Sequence, residues 1–280
     1  MLLERGDINP DEPHSGGRTP LWCAAWNGHV EVVKLLLGQD EVDPDKPDNH
    51  GETPLWCAAW NGHVEVVKML LERDEVSPDE PDSYGRTPLH SAAENGHEVV
   101  AKMLLARDEV NPDMPDSPGQ TPLLHAARNG HAGVVKLLLG SHDVDPDKSD
   151  NGGRTSLSWA AEGGHSGIVE VLLGARGVAS NSTDNSGRTP LDWAAELGHT
   201  TVVEMLRQRC SHSQDIVMTD PTDQIAPTRR SARVAKRRLA DHVSVPQSAG
   251  SNNPIGLSPP APSGSSRRRS KRIRRSRHSR

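Results

Sequence analysis

The chain has no Phe and a single Tyr among its 280 residues, and its 2% aromatic content rests almost entirely on six Trp. A single large core built around bulky rings is therefore excluded, and small cores of Leu, Val and Ala fit better. No run of apolar residues approaches the length of a membrane span. The start, Met1-Leu2-Leu3-Glu4-Arg5-Gly6-Asp7, has no apolar stretch of signal-peptide type, so a soluble, intracellular protein is expected. Three cysteines, Cys23, Cys57 and Cys210, form no C-x-x-C pair, which excludes a disulfide framework and the common zinc spacings. Catalytic signatures are missing too: there is no Gly-Lys dipeptide for a phosphate loop, no G-x-S-x-G and no H-E-x-x-H. The nearest approach, His97-Glu98-Val99-Val100-Ala101, has Ala where the second zinc ligand would stand. These absences predict neither an enzyme nor a cofactor or metal protein.

Charge is present but divided. Of the 32 basic residues 15 follow Cys210, against 4 of the 38 acidic ones, so residues 1–210 carry −17 and residues 211–280 carry +11. An acidic folded body with a basic interaction tail is the expectation.

The body is periodic. Thr-Pro-Leu, once Thr-Ser-Leu, recurs at Thr19, Thr53, Thr87, Thr121, Thr155 and Thr189, always 34 residues apart, and Gly-His follows nine residues after each Thr. One unit, Thr53-Pro54-Leu55-Trp56-Cys57-Ala58-Ala59-Trp60, reads as a short helix with Thr as its cap and Pro in its first turn, where a missing N–H costs nothing. Asn61-Gly62 breaks it. Val64 to Leu71 reads as a second helix, apolar over too much of its circumference to stand alone, so neighbouring units must cover it. The following stretch to Gly85 carries the Pro, Asp and Gly of an extended finger ending in a turn.

In these residues the sequence resembles the ankyrin repeat, whose T-P-L-H-x-A-A-x-x-G-H-x-x-V-V-x-x-L-L signature it meets almost position by position. The 34-residue unit with its D-x-D-P-D-type finger is similar to arrays of filamentous fungi. The resemblance implies an all-α repeat solenoid of stacked helix-turn-helix units with extended fingers. Six repeats over 15–210 start near 19, 53, 87, 121, 155 and 189, after a finger remnant of a truncated preceding repeat at 1–14. One departure concerns the fourth signature position, which is His only at His90 and is Trp22, Trp56, Leu124, Ser158 and Asp192 elsewhere, so the family's Thr-to-His hydrogen bond is expected in few units.

The ends differ. The column Leu37, Leu71, Leu105, Leu139, Leu173 closes with Arg207, as a terminal unit facing water requires. No such device marks the start, where Met1–Arg5 repeats Met69–Arg73 two periods earlier. An array cut from a longer protein, or a start codon assigned inside one, is expected, with the first helix pair as the weak end.

The resemblance also implies a non-enzymatic scaffold whose partner contacts come from the fingers and first helices. That puts Trp26, Trp60, Glu94, Arg128, Glu162 and Glu196 in one exposed column; Trp is enriched in interface hot spots, and Trp26 and Trp60 are the strongest candidates because their column is otherwise charged. Packing of these rings against the adjacent repeat is the alternative. Asp45, Asp79 and Asp113 belong to a finger column that would attract a basic protein partner. With the second column, Asp48, Asp82, Asp116, Asp150 and Asp184, they would form an acidic ridge unless they are simply turn formers. The recurring Gly-His histidines are expected to be structural.

After Cys210 the periodicity stops and Ser, Pro, Gly, Asn and Arg dominate, so 211–280 is expected to be a disordered basic tail. Lys271, Arg272 and Arg274 fit a K-[KR]-x-[KR] nuclear-import pattern, which points to an importin partner and the nucleus; contact with nucleic acid, or a merely solvated tail, would need the same residues. The protein is expected to be a monomer. A sensing fragment of a larger signalling receptor, or a nuclear regulator contacting nucleic acid through its tail, stand as alternative functions.

Overall fold

A computed structural model describes residues 9–215. The candidate import residues Lys271, Arg272 and Arg274, most of the basic tail and Met1–Arg5 lie outside these described residues. Twelve helices follow in six pairs: α1 (Pro20–Trp26) with α2 (Val30–Leu37), α3 (Pro54–Trp60) with α4 (Val64–Leu71), α5 (Pro88–Asn95) with α6 (Glu98–Leu105), α7 (Pro122–Arg128) with α8 (Ala132–Leu139), α9 (Ser156–Glu162) with α10 (Ser166–Gly174), and α11 (Pro190–Glu196) with α12 (Thr200–Asp215). First helices pack on first helices and second helices on second helices of the next pair, so the pairs stack in chain order. Among the described residues the isolated β-bridge is Ser149 to Thr155, and no helix is long and apolar enough to cross a membrane.

Local chemistry explains each pair. The Thr hydroxyl at Thr19, Thr53, Thr121, Thr155 and Thr189 accepts the N–H three residues on, and Pro fills the first turn in all but α9. Gly at the interhelical turn takes a positive φ, +71° at Gly62. There the glycine has a second reason: a Cβ on Gly62 would stand 2.4 Å from Nδ1 of His97 in the following repeat. That His97 ring donates from Nε2 to the Trp60 carbonyl at 2.9 Å, and His63, His131, His165 and His199 make the same bond to the carbonyls of Trp26, Glu94, Arg128 and Glu162. The recurring Gly-His pair is thus an inter-repeat staple.

Fully buried Leu21, Leu55, Leu89, Leu123 and Leu157 form the spine, beside Ala-Ala pairs small enough to let first helices approach closely. Cys23 and Cys57 are free thiols, and burial pushes the Cys57 thiol far above its usual range. The last helix runs to Asp215, past residue 210 where the repeat signature ends, because neither Gly nor Pro follows Leu206 before Pro221.

Candidate interaction face

The first helices and finger turns share one face, and three columns of residues build it. The second finger column lies inward, not on a ridge. Asp48, Asp82, Asp116, Asp150 and Asp184 are all buried. One oxygen of each accepts backbone N–H groups of its own turn, as Asp82 Oδ1 does from Tyr84 and Arg86 at 2.8 and 2.9 Å. The acidic ridge expected of both columns therefore does not form from this one, because the carboxylates are consumed as turn formers.

Asp45, Asp79 and Asp113 are half-buried and spend one oxygen on the next finger. Asp45 accepts the Ser77 N–H at 3.0 Å, Asp79 the Asn111 N–H at 3.0 Å, and Asp113 the Lys148 ammonium at 3.0 Å. The other oxygen of each is buried without a hydrogen bond. Burial accordingly raises all three pKa values above the ordinary aspartate range, and pushes Asp45, which has Glu80 and Asp43 nearby, up to about 6.

The expected exposed column is only partly exposed. Arg128 and Glu196 are open to solvent, whereas Trp26, Trp60, Glu94 and Glu162 are half-buried. Packing within the face is the reason. Trp26 stacks on Trp22 at 5.5 Å between centroids, and Trp60 on Trp56 at 5.2 Å, each pair one helical turn apart. Glu162 pairs with Arg154 and Glu196 with Arg188.

The inner Trp of each N-terminal pair settles the question left by the missing signature histidines. In the third repeat His90 accepts from Thr87 at Nδ1 and donates from Nε2 to the Gln120 carbonyl of the next repeat at 3.1 Å. Burial, with His125 close by, depresses its pKa to about 4, so the ring is neutral. Trp22 and Trp56 donate their indole N–H to the equivalent carbonyls, Glu52 at 2.9 Å and Arg86 at 3.1 Å. The Thr-to-His link is thus confined to one repeat, while its inter-repeat half is reproduced by tryptophan.

Sequence reasoning missed the arginine column immediately before the repeat Thr: Arg18, Arg86, Arg154 and Arg188. Arg18 lies 4.2 Å over Trp22, and Arg86 faces Trp56, Trp60 and Tyr84 at 5.3 to 5.8 Å while pairing with Asp82. In the C-terminal half Trp159 is held between Arg128 and Arg154, at 4.6 and 3.6 Å, and Trp193 between Arg154 and Arg188, at 4.1 and 4.5 Å. Recurrence of Arg-Thr four times in phase was the available signal.

At the centre His125 donates to Asp116 at 3.0 Å and presents its other nitrogen 3.8 Å from Glu94. Burial would raise Asp116, but the His125 and Gln120 hydrogen bonds outweigh it and the pKa falls below normal. Glu94 Oε2 has no hydrogen-bond partner, with Arg86 3.9 Å away. Among the described residues no group of three His, Cys, Asp or Glu is arranged to hold a metal ion.

The geometry is that of stacked helix pairs, and the sequence carries a matching signature. No significant match to a curated protein was found. The family described as Ankyrin repeats (3 copies) matches overlapping stretches at 1–82, 41–115, 75–150, 101–184 and 136–220, so that residues 1–220 are covered without a gap. The chain belongs to the ankyrin-repeat family.

Proposed function

We propose that this protein is an interaction scaffold that binds a protein partner on the first-helix and finger face, with Trp26, Trp60 and Glu94 at the centre of the contact. Ankyrin repeats generally mediate protein–protein interaction and are typically non-enzymatic. The observation that carries the reading is the run Trp26, Trp60, Glu94. Two partly exposed indoles, each backed by a buried Trp, stand in line with the half-buried Glu94 side chain. Rigid aromatic anchors cost little entropy to present. A partner segment with an apolar residue followed by Lys or Arg fits this run, its cation stacking on Trp60 and pairing with Glu94. Exposed Tyr84 and Arg128 flank it.

Affinity purification with the full chain, compared with a Trp26→Ala/Trp60→Ala variant of unchanged helix content, tests the proposal. A partner retained on the native chain and lost from the variant is the expected result, with Glu94→Gln weakening the same partner. Partners that bind both chains equally contradict it.

A further inference from the structure

Trp26, Trp60, Glu94 and Arg128 are evenly spaced along the stack. The backbone carbonyl of each accepts a hydrogen bond from Nε2 of the histidine 37 residues on, His63, His97, His131 and His165, at 2.9 to 3.0 Å. One contact recurring with one geometry gives one equal step per repeat. First helices pack directly on first helices through buried alanines, so the step is about 8–10 Å, the spacing of packed helices.

The column is narrow and of mixed character. Half-buried Trp26 and Trp60 each spend one ring face on an inner Trp. Half-buried Glu94 has Arg86 and His125 no nearer than 3.8 Å. Exposed Arg128 lies over the Trp159 ring and makes no ion pair among the described residues. Beyond it Glu162 and Glu196 are already paired with Arg154 and Arg188, so four steps remain open. The borders are polar: Arg86 stands 5.8 Å from the Trp60 ring, and each of the four column residues is followed by Asn, at Asn27, Asn61, Asn95 and Asn129.

We propose that this column binds a polyproline II segment of the partner, with every third side chain meeting one repeat: apolar groups at Trp26 and Trp60, Lys or Arg at Glu94, and Asp or Glu at Arg128. This rests on the first-helix face being the binding face, and adds the conformation and register of what it holds. Spacing selects the conformation. A polyproline II helix has three residues per turn and rises about 3.1 Å per residue, so one edge presents a side chain about every 9.3 Å. A β-strand presents same-face side chains about every 6.7 or 13.4 Å and misses the step. A strand backbone also needs an open ladder, which helices do not offer, whereas polyproline II leaves its backbone to water. An α-helix returns to one face after seven residues, about 10.5 Å, but carries a broad apolar stripe. A column one residue wide with charged and amide neighbours gives that stripe no groove. The half-exposed indoles point the same way, because proline-rich segments dock on aromatic surfaces.

The probes are the labelled decapeptide Leu-Pro-Pro-Leu-Pro-Pro-Lys-Pro-Pro-Glu and its reversed sequence, since the column does not fix the direction of the segment. Binding to the full chain is read by fluorescence anisotropy. One control inserts a further Pro between the second Leu and Lys; another sets the two Leu, Lys and Glu seven residues apart in an alanine-rich helix. The better decapeptide should bind at least about tenfold tighter than either control. It should weaken at least about tenfold on Trp26→Ala/Trp60→Ala with helix content unchanged. Glu94→Gln should weaken it about fivefold and leave a probe with Gln in place of Lys unaffected. Equal binding of the inserted control, tighter binding of the helical one, or no binding of either decapeptide at about 1 mM overturns the proposal. The binding face then still stands or falls on loss of the purified partner from the Trp variant. A decapeptide bound equally by the native chain and the Trp variant has found another surface, which also overturns the proposal. So does a Glu94→Gln effect that is the same on both probes.

Discussion

The two edges of the array are made from the same repeat and differ at matching positions. At the C-terminal edge two positions turn polar, Asp192, which caps its own helix by accepting the Thr189 N–H at 2.8 Å, and Arg207, which ends the leucine column, while Leu197 stays apolar and exposed. At the N-terminal edge Val32 and Leu35 keep the apolar identity of internal positions and meet solvent. Exposure in a repeat array is decided by neighbours more than by a unit's own sequence, so an unchanged residue carries a different energy at each place in the stack.

The sharpest way to break this comparison is at the interhelical glycines. Gly62→Ala should cost about 2–4 kcal/mol, combining the strain of an L-residue at positive φ with displacement of the His97 ring and its bond to Trp60. Gly198 has a φ of +77° with nothing near an added Cβ, so Gly198→Ala should cost only about 1–2 kcal/mol. Urea denaturation measures both, and equal losses would show that the staple contributes nothing.

A second comparison sets Val66 against Val32. Val66→Ala removes two fully buried methyl groups and should cost roughly 2 kcal/mol, whereas Val32→Ala should fall within about 0.5 kcal/mol of the native chain. The same denaturation midpoints decide it.

Next in size is the finger carboxylate. The folded state holds the Asp45 proton more tightly than the unfolded chain, since the pKa is raised from 3.8 to about 6. Its contribution to stability is therefore present at low pH and lost as pH rises through about 6, where the ionised carboxylate becomes a net cost. Asp45→Asn keeps the acceptor for Ser77 and should stabilise the protein by on the order of 1 kcal/mol at about pH 8, discounted for partial exposure, with the gain vanishing near pH 4. Asp113→Asn also removes the partner of Lys148, so it should gain less or lose stability.

The smallest effect is kinetic. Cys23, partly exposed on α1, should react with a soluble alkylating reagent in the native protein, and buried Cys57 only on opening of the stack. Mass spectrometry of the labelled chain reads both, and equal labelling rates would place Cys57 at the surface.

Much of this was legible in one sequence because the repeat tests each inference six times. Thr caps, the Gly-His turn and both helix spans of the second unit follow from local rules that packing does not override. The tryptophans were half legible. The family resemblance separated Trp26 from Trp22 by position, but only the stack shows that Trp22 reaches the next repeat's carbonyl and that Trp26 is half-buried against it. The arginine column was visible as a recurrence but silent as chemistry, because each guanidinium meets its Trp through the fold: Arg154 contacts Trp193 across a repeat boundary. The finger aspartates were legible as turn formers and not as half-buried acids, since burial depends on the adjacent finger. The extra length of α12 is an absence of stop signals, which is weaker to read than a glycine.

The central claim, that the exposure of an apolar position in the array is set by the repeat stacked against it, is tested most directly by native-state hydrogen exchange resolved by helix pair in the full chain. Protection should be lowest in α1 and α2, rise to a plateau across α3 to α8, and remain higher in α11 than in α1. Protection in α2 equal to that in α6 would contradict the account.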